Sequence, residues 1–389
     1  MARLLFITDY TEQFAYRLLR GIISYSSLSG KWVVYRMTLS EKRKLGIDGV
    51  VEWALKWNAD VVIGQFEEGE DVLKFRKNGI VAIAQDYISK FKDIPNITAD
   101  YIGTGRMAAE YFLTRGFHNF AFFGYKDICW SAERYEVFVQ KLQEAGVGDI
   151  VYFYDNKDME TAWYYDSTEL ALWLHSLPKP IAIMACDDTR GNILLNACTS
   201  CCIRVPDEIA VMGVDNDEVL DSLCDATLSS IEVDMEQGGY AVAEMAEKMM
   251  KDPDYKGEDI VLRPVTVVTR MSTSIYATSD RVVAKVLTFI NSNIDRKVSV
   301  PDILKEVPLS RRLLETRFKE VTGDTIYNYI LRQRVERFAF LLLNTNLNVS
   351  EITIMMDEID PKALCRRFKA IKGCTPSQYK ENNLRNLTE

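Results

Sequence analysis

Acidic, amide and aromatic side chains recur directly after short apolar segments in the first two thirds of the chain. The clearest case is IRVPDEIAVMGVDN, in which the apolar residues 209–214 are followed at once by Asp215 and Asn216. A carboxylate and an amide side by side can accept hydrogen bonds from adjacent hydroxyl groups and donate to them. These residue types predict the binding of a small polyol, and a strand that simply ends in a polar turn is the alternative.

Further residues are candidates for the same site. Those after strand-like segments would supply carboxylates for hydroxyl groups and a ring for the apolar face of a sugar. In CWSAERYEVF, the arginine would donate two hydrogen bonds to vicinal hydroxyls and the tryptophan would stack on the ligand. A surface salt bridge, a core aromatic residue and ordinary loop residues are the alternatives. The candidates are Asp9, Tyr10, Phe66, Asp86, Trp130, Arg134 and Asp187.

The segments that must position these residues alternate between strand-like and helical patterns. The run 209–214 is apolar without alternation, which is typical of a parallel strand buried on both faces, and it is too short for a buried helix. Alternating elements predict βαβ units, and ligands bind at the carboxyl ends of their strands. Strands are predicted at 3–8, 32–36, 61–64, 81–84, 119–124, 150–154, 181–185 and 209–214, and helices at 11–28, 44–56, 71–77, 101–115, 132–145 and 168–177.

The order of these elements predicts two α/β lobes. A chain of 389 residues is too long for one ordinary core. Because strand ends of both lobes carry polar and aromatic residues, we expect the lobes to form a hinged clamshell around a small polar molecule.

Charge divides the chain into an acidic and a basic part. From residue 280 onward, 19 Lys and Arg stand against 14 Asp and Glu, a net charge of +5; since the whole chain carries −9, the preceding part carries −14. A basic segment on an acidic body predicts a nucleic-acid-binding module attached to a domain that does not touch nucleic acid. Many solvated surfaces carry a similar charge, so this signal is weak alone.

Several classes of protein are not favoured. No apolar run approaches the roughly 18 residues of a membrane span, and MARLLFITDY reads as a strand rather than a signal peptide, so we expect a cytoplasmic protein. Eight scattered cysteines fit a reducing compartment. Cys198, Cys201 and Cys202 have redox or zinc spacing without a second pair, which favours packing. With two distant histidines and no Walker, GxSxG or HExxH motif, we predict no metal, cofactor or catalytic residue.

An internal repeat lies in the basic part. The pattern L-x-x-R-F-K-x-x-x-G-x-T occupies residues 314–325 and recurs at 364–375, at an offset of 50. In each copy Leu and Phe are four apart on one helical face, and Gly ends the helix. Ser310 begins the first helix, and Asp360 with Pro361 begins the second. The repeat predicts two similar helical units, joined by a helix over residues 326–343 that spans about 27 Å.

With the repeated Leu and Phe inward, the start of each repeat helix presents polar residues outward, where they could contact base edges. Arginine pairs with guanine, and lysine can contact a base or a phosphate. The joining helix would hold the two repeat helices near one turn of DNA apart, about 34 Å. A solvated basic face is the alternative. The candidates are Arg311, Arg312, Glu315 and Thr316 in the first unit and Lys362, Ala363 and Arg366 in the second.

The first part of the chain resembles the LacI-type effector domains and their periplasmic sugar-binding relatives. IRVPDEIAVMGVDN matches their signature strand, and GFHNFAFFG and LSSIEVDMEQGGYAVAEMAEKMM match two further segments, over roughly residues 3–272. The resemblance implies that Asp215, Asn216, Arg134 and Asp187 contact the effector. That family usually begins with a DNA-binding headpiece, which this sequence does not match, so we expect DNA binding elsewhere.

The basic part resembles the AraC-type DNA-binding domain, which has two helix-turn-helix units. SVPDILKEVPLSRRLLETRFKEVTG and FKAIKGCTPSQYKE carry this resemblance, over roughly residues 282–383. The sequence departs from the family at Asp357-Glu358, where Gly-Phe is usual, and at Pro308, where Gly is common. Because acids near phosphates lower affinity, we predict that the second unit contributes less specificity.

Together, these features predict an α/β two-lobed periplasmic-binding-protein-like sensor followed by an all-α AraC-type double helix-turn-helix domain. We expect the sensor at residues 1–272, a linker at 273–279 and the DNA-binding domain at 280–389. The combination resembles the bacterial xylose operon regulators. That resemblance implies D-xylose or a related pentose as effector, activation of catabolic genes, a homodimer on double-stranded DNA, and RNA polymerase as a partner. A transport-type sugar-binding protein and a sugar-modifying α/β enzyme are the alternatives.

Overall fold

The computed structural model describes residues 1–9, 13–85, 90–147, 150–155, 168–217, 226–274, 280–344, 347–357 and 361–385. The chain divides into two compact units. Met1–Thr114 and His118–Thr273 form the first unit, and Arg115–Phe117 and Ser274–Glu389 form the second. Most of the predicted linker, residues 275–279, lies outside the described residues.

The first unit contains two six-stranded sheets, which define its two lobes. The sheet of the first lobe has the order β11-β5-β4-β3-β1-β2, and its strand pairs are parallel. Its strands are β1 (Arg3–Thr8), β2 (Val33–Thr38), β3 (Val61–Gln65), β4 (Val81–Gln85), β5 (Asn96–Ala99) and β11 (Ile260–Leu262).

The sheet of the second lobe repeats this topology, with the order β12-β10-β9-β8-β6-β7. All of its described pairs are parallel except β12 with β10. Its strands are β6 (Phe120–Gly124), β7 (Val151–Asp155), β8 (Ile181–Ala185), β9 (Ile209–Val214), β10 (Ser229–Val233) and β12 (Pro264–Val268). The inner strands β6, β8 and β9 are fully buried, as expected for parallel strands covered on both faces.

A helix lies between successive strands from β1 to β4 in the first lobe and from β6 to β9 in the second, as βαβ units require. Helices α1 and α8 pack closely, because a Cβ on Gly239 of α8 would lie 2.1 Å from the carbonyl oxygen of Leu18 in α1. The helices of this unit are α1 (Gln13–Ser29), α2 (Leu39–Trp57), α3 (Leu73–Lys77), α4 (Tyr101–Thr114), α5 (Cys129–Glu144), α6 (Thr168–Ser176), α7 (Asp188–Ser200) and α8 (Met235–Lys251).

The chain passes between the lobes three times, after β5, after β10 and after β11. The three passages are hydrogen-bonded to one another. The backbone N–H of Asp100 donates to the carbonyl oxygen of Leu262 at 2.7 Å, and that of Asp234 donates to Arg263 at 3.0 Å. Three adjacent segments therefore form the hinge of the clamshell.

The second unit is helical throughout its described elements, so the predicted fold class is confirmed for both parts. Its helices are α9 (Arg281–Ser292), α10 (Val300–Glu306), α11 (Arg311–Thr322), α12 (Ile326–Asn344), α13 (Val349–Met355), α14 (Pro361–Lys372) and α15 (Pro376–Arg385). The sequence predicts α12 over residues 326–343, one residue short of its end.

Two hydrophobic clusters hold the second unit together, and α12 belongs to both. Ile326 and Ile330 of α12 pack in the first cluster with Leu314 and Phe318. Further along α12, Phe338 packs in the second cluster, and its ring lies 5.5 Å from that of Phe368. The burial pattern of residues 314–326 repeats residue for residue at 364–376, so the sequence repeat is also a structural repeat.

Candidate ligand cleft and recognition helices

A cavity lies between the two lobes, at the carboxyl ends of their strands. It measures about 80 Å³, several times the roughly 10–15 Å³ that one water molecule needs. Acidic, amide and aromatic groups line it, in addition to one arginine. The lining residues are Phe14, Gln65, Gln85, Ala99, Tyr101, Trp130, Arg134, Asp187, Asp188, Thr189, Asp215, Asp217 and Val233.

Asp215 follows β9 and lines the cleft, as the sequence analysis predicted. Its backbone has a φ of 101°, in a region that residues with a side chain rarely adopt. Burial raises the pKa of its carboxyl to about 6; the nearby charge of Asp187 acts in the same direction, and Arg134 and Arg17 oppose it. A strained backbone and a shifted pKa are both typical of functional positions.

Asp188 supports the loop after β9 and was missed by the sequence analysis. Its carboxylate oxygens accept hydrogen bonds from the Ser230 hydroxyl and from the backbone N–H of Asp217, both at 2.6 Å. A Cβ on Gly213 would lie 2.0 Å from Asp188 Oδ1, so only glycine fits there. Burial raises the pKa of Asp188 well above its usual range. The glycine before Val214 and Asp215 was the sequence signal for this close contact.

Arg134 is buried at the wall of the cleft, on the second turn of α5. Its Nη1 donates to the carbonyl oxygen of Cys186 at 2.5 Å, and its guanidinium lies 5.2 Å from the ring centre of Tyr101 and 5.5 Å from that of Trp130. Its Nε has no hydrogen-bond partner within the described part of the chain. An unpaired buried donor is costly, so a ligand acceptor at this Nε would be stabilising.

Asp187 follows β8 and caps α7. Its Oδ1 accepts a hydrogen bond from the backbone N–H of Arg190 at 2.8 Å, and its Oδ2 pairs with Arg190 Nη1 at 3.2 Å. Arg190 in turn donates through Nε to the hydroxyl of Tyr125 at 2.9 Å. Asp187 is thus held in the cleft wall by its neighbours.

The first lobe contributes Gln65 and Gln85, at the ends of β3 and β4. Gln65 Oε1 accepts from the backbone N–H of Asp9 at 3.3 Å, and Gln85 Oε1 accepts from the Thr8 hydroxyl at 3.2 Å. Among the described residues, neither Nε2 has a hydrogen-bond acceptor. Both amides can therefore donate to a ligand hydroxyl.

The position predicted for Phe66 was wrong. The ring lies in the core of the first lobe, 6.0 Å from the rings of Phe75 and Phe91, and it is not among the residues that line the cleft. Successive side chains of a strand point to opposite faces, so when Gln65 reaches the cleft, Phe66 is directed into the core. Tyr101, which the sequence analysis did not select, lines the cleft at the hinge.

Four other candidates differ in outcome. Tyr10 and Asp86 lie outside the described residues. Asp9 borders the cleft through its bond to Gln65 but is not in the lining. The amide oxygen of Asn216 accepts a hydrogen bond from Arg270 Nη2 at 2.6 Å, so this side chain holds the loop rather than lining the cleft.

In the second unit, α11 and α14 occupy corresponding places in the repeat. Ser310 accepts from the backbone N–H of Leu313 at the start of α11, and Gly323 ends the helix with a φ of 71°. Of the predicted residues, Arg311, Arg312 and Thr316 are exposed and Glu315 is half-buried.

Helix α14 shows the same pattern. Lys362 and Arg366 are exposed, and Ala363 is half-buried. Leu364 and Phe368 are fully buried, as Leu314 and Phe318 are in α11. At 100° per residue, the face opposite each buried pair includes the second, third and sixth residues of the helix.

The described ranges also bear on metal, thiol and membrane chemistry. No three His, Cys, Asp or Glu residues there are placed to hold a metal ion. Cys198 is buried and its burial raises the pKa of the thiol to about 12, which makes a reactive thiolate unfavourable. None of the described helices has the length and apolar character needed to cross a membrane.

Comparisons with known proteins agree with this architecture. Residues 109–273 match the periplasmic binding protein-like domain family, and residues 303–382 match a helix-turn-helix domain family. The chain is similar to the xylose operon regulatory protein of Escherichia coli (strain K12), at 27% identity over 98% of this chain and 97% of the relative. It is 28% identical to the Haemophilus influenzae protein of the same name, over 83% of this chain and 85% of the relative.

A solved structure of a xylose-binding transcription activator matches 97% of both chains with a TM-score of 0.60 and 24% identity. A ligand-sensing two-lobed unit and a double helix-turn-helix unit define a sugar-responsive DNA-binding transcription regulator rather than an enzyme. The chain thus contains both a periplasmic binding protein-like domain and a helix-turn-helix domain, in the order that the sequence predicts.

Proposed function

We propose that the cleft binds D-xylose or a related pentose, and that this sugar controls DNA binding by the second unit. The observation that carries the proposal is the buried guanidinium of Arg134, whose Nε has no hydrogen-bond partner among the described residues, in the wall of a cavity that Asp215 and Trp130 also line. Together they offer a donor, an acceptor and an apolar surface, which is the set of contacts that a sugar needs.

In the proposed complex, Asp187 and Asp215 accept hydrogen bonds from sugar hydroxyls, and Arg134 donates one. Trp130 packs on the apolar face of the ring. The amide groups of Gln65 and Gln85 approach from the first lobe, so the sugar contacts both lobes. Xylose is supported by the names of the full-length relatives and by the xylose-binding activator of similar fold.

A ligand shifts a conformational equilibrium only by its differential affinity for the two states. Contacts with both lobes favour the closed clamshell, because the open form offers the sugar only one set of partners. We assign sugar sensing to residues 1–272, DNA binding to residues 280–389 and the connection to 273–279. The regulator acts as a homodimer in the cytoplasm and activates pentose-utilisation genes through RNA polymerase.

For DNA binding, we propose that α11 and α14 enter successive segments of the major groove. Arg312 and Thr316 of α11 and Lys362 and Arg366 of α14 are exposed at the start of their helices. Arg311 and Glu315 flank the first face, and Ala363 lies within the second. Arg312→Ala should lower affinity by about 1–3 kcal/mol and relax specificity at one base pair. An equal loss on every DNA sequence would make Arg312 a phosphate contact.

The sugar is tested by calorimetric titration of the full chain with D-xylose, L-arabinose, D-ribose and D-glucose. We expect D-xylose to bind most tightly and Asp215→Asn to weaken it at least tenfold. Asp207→Asn is the matched control, because Asp207 lies before the other end of β9 and is exposed. Unchanged binding in Asp215→Asn would remove Asp215 from the site.

The regulatory function is tested by footprinting with and without the sugar. A change in promoter occupancy on adding D-xylose is the expected result. Sugar binding that leaves DNA occupancy unaltered would instead favour a transport-type binding protein.

A further inference from the structure

We infer that Leu313 of α11 reads the C5-methyl group of a thymine, so that the half-site read by the first helix-turn-helix unit contains a thymine that the second unit does not require. This inference rests on the proposed entry of α11 into the major groove. Leu313 would add an apolar contact to the outward face of α11, whose other proposed base contacts are polar.

Leu313 is a large apolar residue on the outward face of α11, with 47% of its surface exposed. Leu314 and Phe318 define the buried face. At 100° per residue, Leu313 lies on the opposite side of the helix, next to the exposed Arg312 and Thr316. It therefore belongs to the same surface as the proposed base-contacting residues.

The first turn of α11 fixes the position of Leu313. Its backbone N–H donates to the Ser310 hydroxyl at 3.4 Å, which caps the helix. One turn further, the Thr316 hydroxyl donates to the carbonyl oxygen of Arg312 at 3.0 Å. The Thr316 hydroxyl proton is thus used inside the helix. Leu313 and the Thr316 methyl group, three residues apart, are neighbours on the helix surface and together form a small apolar patch beside an arginine.

Thymine is the base whose major-groove edge carries a methyl group, and apolar side chains make favourable contacts with it. The corresponding residues of α14, at the offset of 50, are Ala363 and Arg366. The second helix thus has a small residue and a cation where the first has the apolar pair. This difference predicts asymmetric half-sites, with the thymine in the half-site of the first unit.

The test begins with the operator that the full-length protein selects from randomised DNA. Each thymine of that operator is then replaced in turn by deoxyuridine, which removes only the C5-methyl group, and affinity is measured by fluorescence anisotropy. For the wild-type chain we expect one or two positions at which deoxyuridine lowers affinity about fourfold. This is the loss of one buried methyl group, about 0.8 kcal/mol at 1.4 kcal/mol per factor of ten. In Leu313→Ala the same replacement should have no effect.

Val321→Ala is the matched control. Val321 lies on α11 with 40% of its surface exposed, but in the last turn and away from the outward face of Leu313. This variant should keep the wild-type response to deoxyuridine. Leu313→Ala should fold normally, because alanine favours helix and the site is exposed; circular dichroism checks this.

Two results would be distinct failures. If the protein selects a sequence but no thymine position depends on Leu313, the inference about Leu313 is wrong and the regulator proposal stands. If no sequence is selected from the random pool, the proposed DNA recognition itself is wrong.

Discussion

Arg17 of the first lobe donates a hydrogen bond through Nη1 to the backbone carbonyl oxygen of Asp215 in the second lobe, at 3.2 Å. The same guanidinium pairs through Nη2 with Glu232 at 2.8 Å. One side chain of α1 therefore bridges the lobes beside Asp215, whose carboxylate is proposed to bind the sugar. The bridge stabilises the closed arrangement of the first unit.

Replacing Arg17 by Met should weaken sugar binding about threefold to tenfold, because a partly exposed ion pair and one hydrogen bond contribute roughly 1 kcal/mol. The ion pair between Arg17 and Glu232 belongs to the closed form of the first unit. Its loss should therefore lower the fraction of molecules in the conformation that binds sugar. Arg20→Met is the control: Arg20 pairs with Glu236 of α8 at 3.2 Å, but its side chain is 71% exposed and both helices pack in the first lobe. Calorimetric titration measures the sugar affinity of both variants. Equal affinities would show that Arg17 does not act in closure of the lobes.

Sugar affinity should depend on pH through Asp215. Its pKa is about 6 in the folded protein, and the ionised carboxylate is the better acceptor of hydroxyl hydrogen bonds. Protonation on lowering the pH through 6 should therefore weaken binding, up to tenfold for each pH unit below that value. Above pH 7 the affinity should be constant.

The pH dependence is measured by titration calorimetry from pH 5 to 8. Asp215→Asn, which does not titrate, should bind weakly and independently of pH. A persistent midpoint near pH 6 in this variant would assign the titration to another group.

Asp357 follows the C-cap residue of α13 and has a φ of 49°, in the left-handed region that glycine adopts without strain. The glycine that is usual in the AraC-type turn fits this geometry. Asp357→Gly should stabilise the second helix-turn-helix unit by about 0.5–1 kcal/mol, and Asp357→Ala should destabilise it. The thermal unfolding temperature of the full chain should rise for Asp357→Gly and fall for Asp357→Ala. A shift in the same direction for both variants would contradict the argument from the positive φ of Asp357.

Arg334 of α12 is buried and bonds to backbone carbonyl oxygens in the loop after α9 and at the end of α13. Its Nη1 donates to Arg296, and its Nη2 donates to Met356 at 2.7 Å. Arg334→Met would leave these carbonyls unpaired and should cost at least about 2 kcal/mol of stability. Arg337→Met is the comparison, since Arg337 pairs with the more exposed Asp295 and should cost less than about 1 kcal/mol. Chemical denaturation measures the free energy of unfolding of both variants. An equal loss of stability would argue against the bridging role of Arg334.

The strand pattern made most of the sensor fold predictable. The strands at 3–8, 181–185 and 209–214 have the bounds that the sequence predicts. Helix α2 begins at Leu39, five residues before the predicted start, because a capping box between Thr38 and Glu41 starts a first segment, which the non-helical Gly46 (φ 64°) separates from the rest of the helix. The T-x-x-E pattern of this capping box is present in the sequence. The polar residues of the first turn, however, obscure the apolar periodicity that predicts a helix.

The site was less predictable, because it depends on which face of a strand or helix a residue occupies. One step along the chain separates Gln65, in the cleft wall, from Phe66, in the core. Asp188 and Gly213 are distant in sequence, and only the fold brings them together. Tyr101 enters the cleft because the chain passes between lobes at that point, which strand and helix propensities do not encode.

Helix α12 runs through the cores of both DNA-reading units. Neither unit can rotate about the axis of α12 without disrupting a packed core. The orientation of α11 relative to α14 is therefore fixed. Each base pair added between the half-sites rotates them by about 35° around the DNA axis. If both units bind DNA as proposed, we expect a bound promoter to tolerate little change in spacer length, because a single inserted base pair displaces the half-site of the second unit.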